Sequence, residues 1–203
     1  MSEAPIPGRL PGTSKYARRR EEILLAAATA FAEKGFHGCR TQDIADRLGL
    51  KQASLYYYFP TKETALEAVC LHGISASTAR LRQLLADAEA PLLEKIRRII
   101  HDHLHDLHTH RDCMIVFTEQ RHHLAAEQQI ALHEQAHEYQ ALLLRLFEDA
   151  RDELRGDVDC QMAARALSDL CHGAALWLQR DPAYDLEHIT EQYTRLFCTG
   201  IQR

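Results

Sequence analysis

Long apolar runs are missing from this chain of 203 residues, and none approaches the length that spans a bilayer. Glycine is scarce, at nine residues, and β-branched runs are absent, which removes the usual signals of strands and hairpins. Six cysteines are present (Cys39, Cys70, Cys113, Cys160, Cys171 and Cys198), but no two form a C-x-x-C pair. That scatter argues against a disulfide framework or a structural zinc site and fits small, reduced core residues. Three of the six prolines fall in the first sixteen residues, where no apolar stretch of signal-peptide type occurs. Residues 1–16 therefore read as a flexible basic arm, and the chain is expected to be cytoplasmic.

What is present is helical spacing. Hydrophobic residues make up 46% and charged residues 26%, as in an ordinary globular protein. Nearly every segment repeats its apolar positions at three- and four-residue steps, so the fold class is all-α, with about nine helices. The first helix runs from about Ala17 to Lys34 and ends at Gly35. A second covers Thr41 to Leu48, Gly49 turns the chain, and a third covers Gln52 to Phe59 before Pro60 stops it. Further helices are expected from Thr61 to Ala88, Pro91 to His108, across HRDCMIVFTEQR, Ala125 to Arg155, Asp159 to Gln179 and Leu186 to Ile201. Three parts follow: the arm at 1–16, a small three-helix head at 17–65, and a larger body at 66–203.

Charge divides the chain the same way. Residues 1–62 carry ten basic and six acidic side chains; residues 63–203 carry 14 and 23. A basic head on an acidic body indicates that the head alone meets a polyanion. Within the head, TQDIADRLGLKQASLYYYFPTK is a helix, a tight turn and a second helix, the form of a helix-turn-helix DNA reader. Lys51, Gln52, Ala53 and Ser54 open the third helix, where Gln52 can pair with adenine and Ala53 can meet a thymine methyl. Tyr56, Tyr57 and Tyr58 cannot all be buried on one short helix. Lys62 is placed to reach a phosphate, and Thr41 and Gln42 present polar groups to the DNA backbone.

These elements resemble the DNA-binding domain of the tetracycline-repressor family. The resemblance rests on F-x-x-x-G-F at Phe31 to Phe36, I-A-x-x-L-G-L at Ile44 to Leu50, and S-L-Y-Y-Y-F-P-x-K-E at Ser54 to Glu63. It covers about residues 17–65. It implies that Gln52, Ala53, Ser54 and Tyr57 face bases and that Thr41, Tyr56, Tyr58 and Lys62 hold phosphates. One departure is that Cys39-Arg40 stands where the family often has a Thr-Thr or Thr-Ser pair. Either Thr41 caps the second helix one residue late, or Arg40 supplies a charge to phosphate in place of a hydrogen bond.

The resemblance further implies a homodimer on a palindromic operator, a small-molecule effector, no cofactor and no catalysis. In that picture the chain is a DNA-binding transcriptional regulator, a repressor released by its effector. In the body, the last two helices are expected to pair across the dimer. Leu167, Leu170 and Ala174 on the eighth, beside Gly173, and Ile189, Tyr193, Leu196 and Phe197 on the ninth form the expected interface. Met162 is expected inside. Met114, Phe117, Tyr139 and Trp177 are expected to line the effector site, with Arg121 holding an acidic group; acyl-CoA or a similar hydrophobic acid is the expected class.

Two other readings stay open. His101, His105 and His108 recur at i, i+4 and i+7, and with Asp112 or Cys113 they form a candidate metal sensor. His133, Glu134 and His137 match H-E-x-x-H, the pattern of a zinc hydrolase, though without an obvious third ligand.

Overall fold

The computed structural model describes residues 15–178 and 185–202, with backbone alone for residues 107, 108 and 175–178. Nine α-helices follow in order among the described residues: α1 Lys15–Gly38, α2 Thr41–Arg47, α3 Gln52–Tyr58, α4 Lys62–Ala86, α5 Leu92–Thr109, α6 Arg111–Gln120, α7 Ala126–Asp149, α8 Cys160–Leu178 and α9 Leu186–Ile201. No strand occurs among them; one isolated bridge joins Leu154 to Gln202.

The head is shaped by two glycines. Gly35 takes φ 69° and breaks α1, so that Phe36 swings into the core. Gly49 takes φ 62° and turns α2 into α3. A side chain rarely adopts either conformation. The start of α2 is closed by Asp43, whose carboxylate accepts from the Arg40 N–H at 2.7 Å and from Lys34 Nζ at 2.7 Å. These bonds, the one to Lys34 foremost, hold the Asp43 carboxyl below its ordinary pKa. Arg40 is itself the N-cap residue, with its side chain making no cap bond. Thr41 is the first helical residue and not a late cap, and the Asp43 N–H donates to the Arg40 carbonyl at 2.9 Å. α4 opens on a reciprocal cap: Thr61 Oγ1 accepts from Thr64 N–H at 3.1 Å, and Thr64 Oγ1 accepts from Thr61 N–H at 3.1 Å.

Two apolar clusters form the core. The first joins Ile23, Phe31, Ile44, Leu55 and Phe59 of the head to Leu66 and Val69 of α4, Cys113 and Val116 of α6, and Leu132 of α7. The head thus completes its core with body residues, as its small size requires. The second cluster lies wholly in the body, around Ile96, Ile100, Leu104, Leu143, Phe147, Leu167 and Ile189.

Two expectations need correction. α7 ends at Asp149 and not near Arg155, because a single 3-10 turn at Arg151–Glu153 redirects the chain. Leu154 is buried there, the Arg155 N–H donates to Ile201 at 2.9 Å, and Arg151 Nη1 donates to the Val158 carbonyl at 2.6 Å. Met162 is 59% exposed. The inward stripe of α8 is Ala163, Ala164, Leu167, Cys171 and Ala174, and Met162 precedes it on the outer side.

Phe31 is fully buried where head and body share their core. Phe31→Ala should lower unfolding free energy by about 3–5 kcal/mol, read from urea denaturation. A loss below about 1 kcal/mol would show that the shared core does not hold the head.

Candidate nucleic-acid interface and effector cavity

The opening residues of α2 and α3 are tied together at the surface. Gln52 Nε2 donates to Thr41 Oγ1 at 2.6 Å, and the Tyr56 hydroxyl lies 3.2 Å from Thr41 Oγ1 and 3.4 Å from Gln52 Nε2. A long amide is thereby held in one orientation, as bidentate base recognition requires. Arg40, Gln42, Lys51 and Ala53 are exposed around this group, and Ser54 is half-buried. Gln42 Nε2 donates to Asp46 Oδ1 at 2.5 Å. Tyr57 is 71% exposed, the largest exposed aromatic of the described residues. Tyr58 instead stacks on Tyr16 of α1, with ring centroids 5.0 Å apart, so it braces α3 against α1.

Lys62 is not where a phosphate contact was expected. Its ammonium donates to the Phe36 carbonyl at 2.8 Å and the Cys39 carbonyl at 3.1 Å, and sits 4.3 Å above the Phe36 ring. It satisfies the carbonyls left open by the break at Gly35 and ties the first turn of α4 to the α1–α2 junction. Gln120, at the end of α6, holds the same junction from another side: its Oε1 accepts from the Phe36 N–H at 3.1 Å. Thr29 Oγ1 donates to Asp112 Oδ2 at 2.6 Å, adding a second tie between α1 and α6. The sequence offered Asp112 only as a metal ligand and gave Gln120 no role, since no periodicity links residues more than eighty positions apart. Lys62→Met should weaken operator binding in parallel at every salt concentration, with the slope of log K against log[salt] unchanged. A slope smaller by about 0.9 would return Lys62 to the phosphate contacts.

Below the junction lies a cavity of about 220 Å³, bounded by α4 from Val69 to Ser77 and by residues of α5, α6, α7 and α8. Of the expected ligand residues, Met114, Phe117 and Tyr139 line it. Arg121 does not. Its guanidinium donates to the carbonyls of Phe117 and Thr118, both at 3.1 Å, and so caps α6. The Trp177 side chain lies outside the described residues.

Four histidines stand among the polar residues that line the cavity, with Ser77, Asp106, Gln140 and Ser168. His103 is 9% exposed, and among the described residues its Nε2 has no hydrogen-bond partner; the buried Nδ1 of His110 has none among them either. The His103 ring lies 5.0 Å from His172, and the His110 ring 5.3 Å from His72. Burial foremost, then His172 and Arg80, pushes His103 down to about 3, and burial with His110 lowers His72. Both rings are neutral at pH 7. Burial raises the Cys70 thiol to about 12 and Cys113 to about 11, so neither is an activated nucleophile. At the cavity edge, Arg80 pairs with Asp106, and Asp106 Oδ2 also accepts from Ser77 Oγ at 3.3 Å.

The lowered His103 value has a sign. Below the unfolded value near 6.5 the unfolded chain takes up a proton that the native chain refuses, so stability falls as pH drops toward about 3. By pH 5 this one group should remove about 2 kcal/mol. His103→Phe should therefore flatten the fall in urea midpoint between pH 7.5 and 5; an unchanged fall would mean that His103 is not buried neutral.

The candidate metal cluster is not assembled by its described members. His101 and His105 stack on α5 with centroids 6.0 Å apart, whereas Cys113 lines the cavity. The His108 side chain lies outside the described residues. Among the described residues no three His, Cys, Asp or Glu side chains converge on one point. His133, Glu134 and His137 are exposed along α7.

The expected dimer residues divide by face. Leu167, Ala174 and Ile189 are buried within the chain's own core and cannot also meet a partner. Leu170, Tyr193 and Phe197 are half-buried, and Leu196 is 66% exposed. The outer face of α8 and α9 carries Met162, Gly173, Leu196 and Gly200, and a Cβ placed on either glycine meets nothing within 4 Å.

A two-helix reading head with a helical body around an apolar cavity defines a DNA-binding regulator with a sensor domain. Family models match both parts: the tetR family of bacterial regulatory proteins over residues 23–69, and the tetracyclin repressor-like C-terminal domain over residues 89–201. The chain belongs to the tetracycline-repressor family of transcriptional regulators. It is 26% identical over 195 residues to the HTH-type transcriptional repressor KstR2 of Rhodococcus jostii, covering 93% of this chain and 94% of that one. The fold is shared with the regulator PfmR of Thermus thermophilus (TM-score 0.78, 24% identity, 89% of this chain and 99% of that one). It is also shared with FadR of Bacillus subtilis, solved in complex with stearoyl-CoA (TM-score 0.74, 22% identity, 90% and 99%). Among the described residues no helix is long and apolar enough to cross a membrane.

Proposed function

We propose that the chain is a homodimeric repressor that binds a palindromic operator in the cytoplasm and is released by a hydrophobic small molecule. It acts by binding and not by catalysis. Residues 17–65 read the DNA: α3 enters the major groove with Gln52, Ala53, Ser54 and Tyr57 toward bases, while Arg40, Thr41, Gln42, Lys51 and Tyr56 meet the backbone. Residues 66–203 sense the effector and dimerise through the outer face of α8 and α9.

One observation carries this reading. The two helices that line the cavity from above, α4 and α6, are the two whose ends hold the α1–α2 junction through Lys62 and Gln120. An occupant that displaces either helix shifts the junction and with it the spacing of the two heads. Support for an acyl-type effector comes from the FadR relative, whose structure holds stearoyl-CoA. In this chain any charged part of such a ligand stays outside the cavity, because no lysine or arginine is among the described residues that line it.

Selection from random duplexes should enrich a palindrome bound by two chains. Extracted metabolites that fill the cavity should lower the affinity for it. Gly73 lines the cavity, and a Cβ there meets nothing within 4 Å. Gly73→Leu should bind the selected duplex yet lose the response to extract. One chain on an asymmetric site, or a Gly73→Leu protein released as readily as wild type, would contradict the reading.

A further inference from the structure

The cavity combines apolar walls with two buried imidazole nitrogens that no described residue satisfies. Val69, Ile74, Met114 and Phe117 supply apolar lining, and His103 Nε2 and His110 Nδ1 are the unpartnered atoms. A buried polar nitrogen without a partner is costly, so a bound group that satisfies it recovers that cost on top of apolar burial. The described residues that line the cavity include no lysine or arginine. At the cavity edge the Arg80 guanidinium is engaged by Asp106 and Ser77, and that of Arg121 lies over the Phe117 ring and donates to the Phe117 and Thr118 carbonyls. A buried anion would therefore lack a counter-charge.

We propose that the effector cavity selects an uncharged oxygen group on an apolar frame, a hydroxyl or a carbonyl, received by His103 Nε2 with His110 Nδ1 as a second contact. This rests on the cavity being the effector site. A hydroxyl meets either tautomer of the imidazole, since it both donates and accepts; a carbonyl meets the protonated nitrogen alone. A neutral ring at His103 suits this task. An imidazolium would favour a carboxylate, but burial and the facing His172 and Arg80 keep His103 unprotonated. The recognised part of the ligand is thus a neutral alcohol, ketone or ester-like carbonyl. Its frame is compact enough for about 220 Å³.

The test uses three matched probes on the full-length protein at pH 7.5: 4-tert-butylcyclohexanol, 4-tert-butylcyclohexanecarboxylate and tert-butylcyclohexane. Binding is read by NMR of ¹⁵N-histidine-labelled protein together with methyl signals of cavity residues. The alcohol should bind at least tenfold more tightly than the carboxylate and should move the His103 Nε2 resonance, which the hydrocarbon leaves in place. His103→Phe should weaken the alcohol at least tenfold more than the hydrocarbon, and His103→Gln, which keeps a polar group there, should recover most of the loss. Tighter binding of the carboxylate, or an alcohol that leaves the His103 resonance unmoved, overturns the proposal while leaving the effector cavity intact. Failure of all three probes to perturb any cavity residue overturns the effector-cavity reading, and the proposal with it.

Discussion

The structure depends on how the short segment between α1 and α2 is held. Gly35 breaks the first helix and leaves carbonyls open at Phe36 and Cys39. These groups cannot be left unpaired, and the chain fills them with the ammonium of Lys62 from α4, while Gln120 from α6 accepts the Phe36 N–H. Two hydrogen-bonding needs of one broken helix thus join the reading head to two walls of a cavity. A regulator needs this link: the head is too small to complete its own core, so any movement in α4 or α6 is felt by α2 and α3.

Electrostatics supports the same division of labour. Two basic residues of the head, Arg40 and Lys51, lie exposed where α2 and α3 open. The acidic excess lies in the body, away from the duplex. Inside the body, the charged groups at the cavity edge cancel in pairs, as Arg80 does with Asp106. Of the groups that line the cavity, burial suppresses the ionisation of the His103 ring and of the Cys70 and Cys113 thiols. That environment favours binding through shape and uncharged hydrogen bonds over ion pairing.

The reading head was legible because its information is local. Gly35, Gly49 and Pro60 punctuate three short helices, and each stop follows from a backbone constraint at one residue. The body was legible in its elements but not in its faces. Periodicity shows that Leu167, Ala174 and Ile189 are apolar, but not whether they meet their own chain or a second copy; the structure turns them inward. In HDHLHDLHTH the i, i+4 pairing drew attention to His101 and His105, which stay near the surface, while His103, two residues out of phase, points into the cavity. Lys62 and Gln120 were beyond reach for a different reason. Their roles depend on which backbone groups a distant break leaves open, and that is a property of the packed chain. Arg121 shows the converse: a cation beside an apolar run suggested an anion site, yet the helix end it caps lay three and four residues away.

The central claim is that cavity occupancy reaches the DNA-reading helices through the α1–α2 junction. Amide hydrogen exchange at Phe36 to Arg40 measures it most directly, with and without a molecule that fills the cavity and releases the operator. The account predicts faster exchange at Phe36 on binding, as the Gln120 acceptor withdraws. Release of DNA with exchange in this segment unchanged would contradict it, and would place the coupling in some other path through the body.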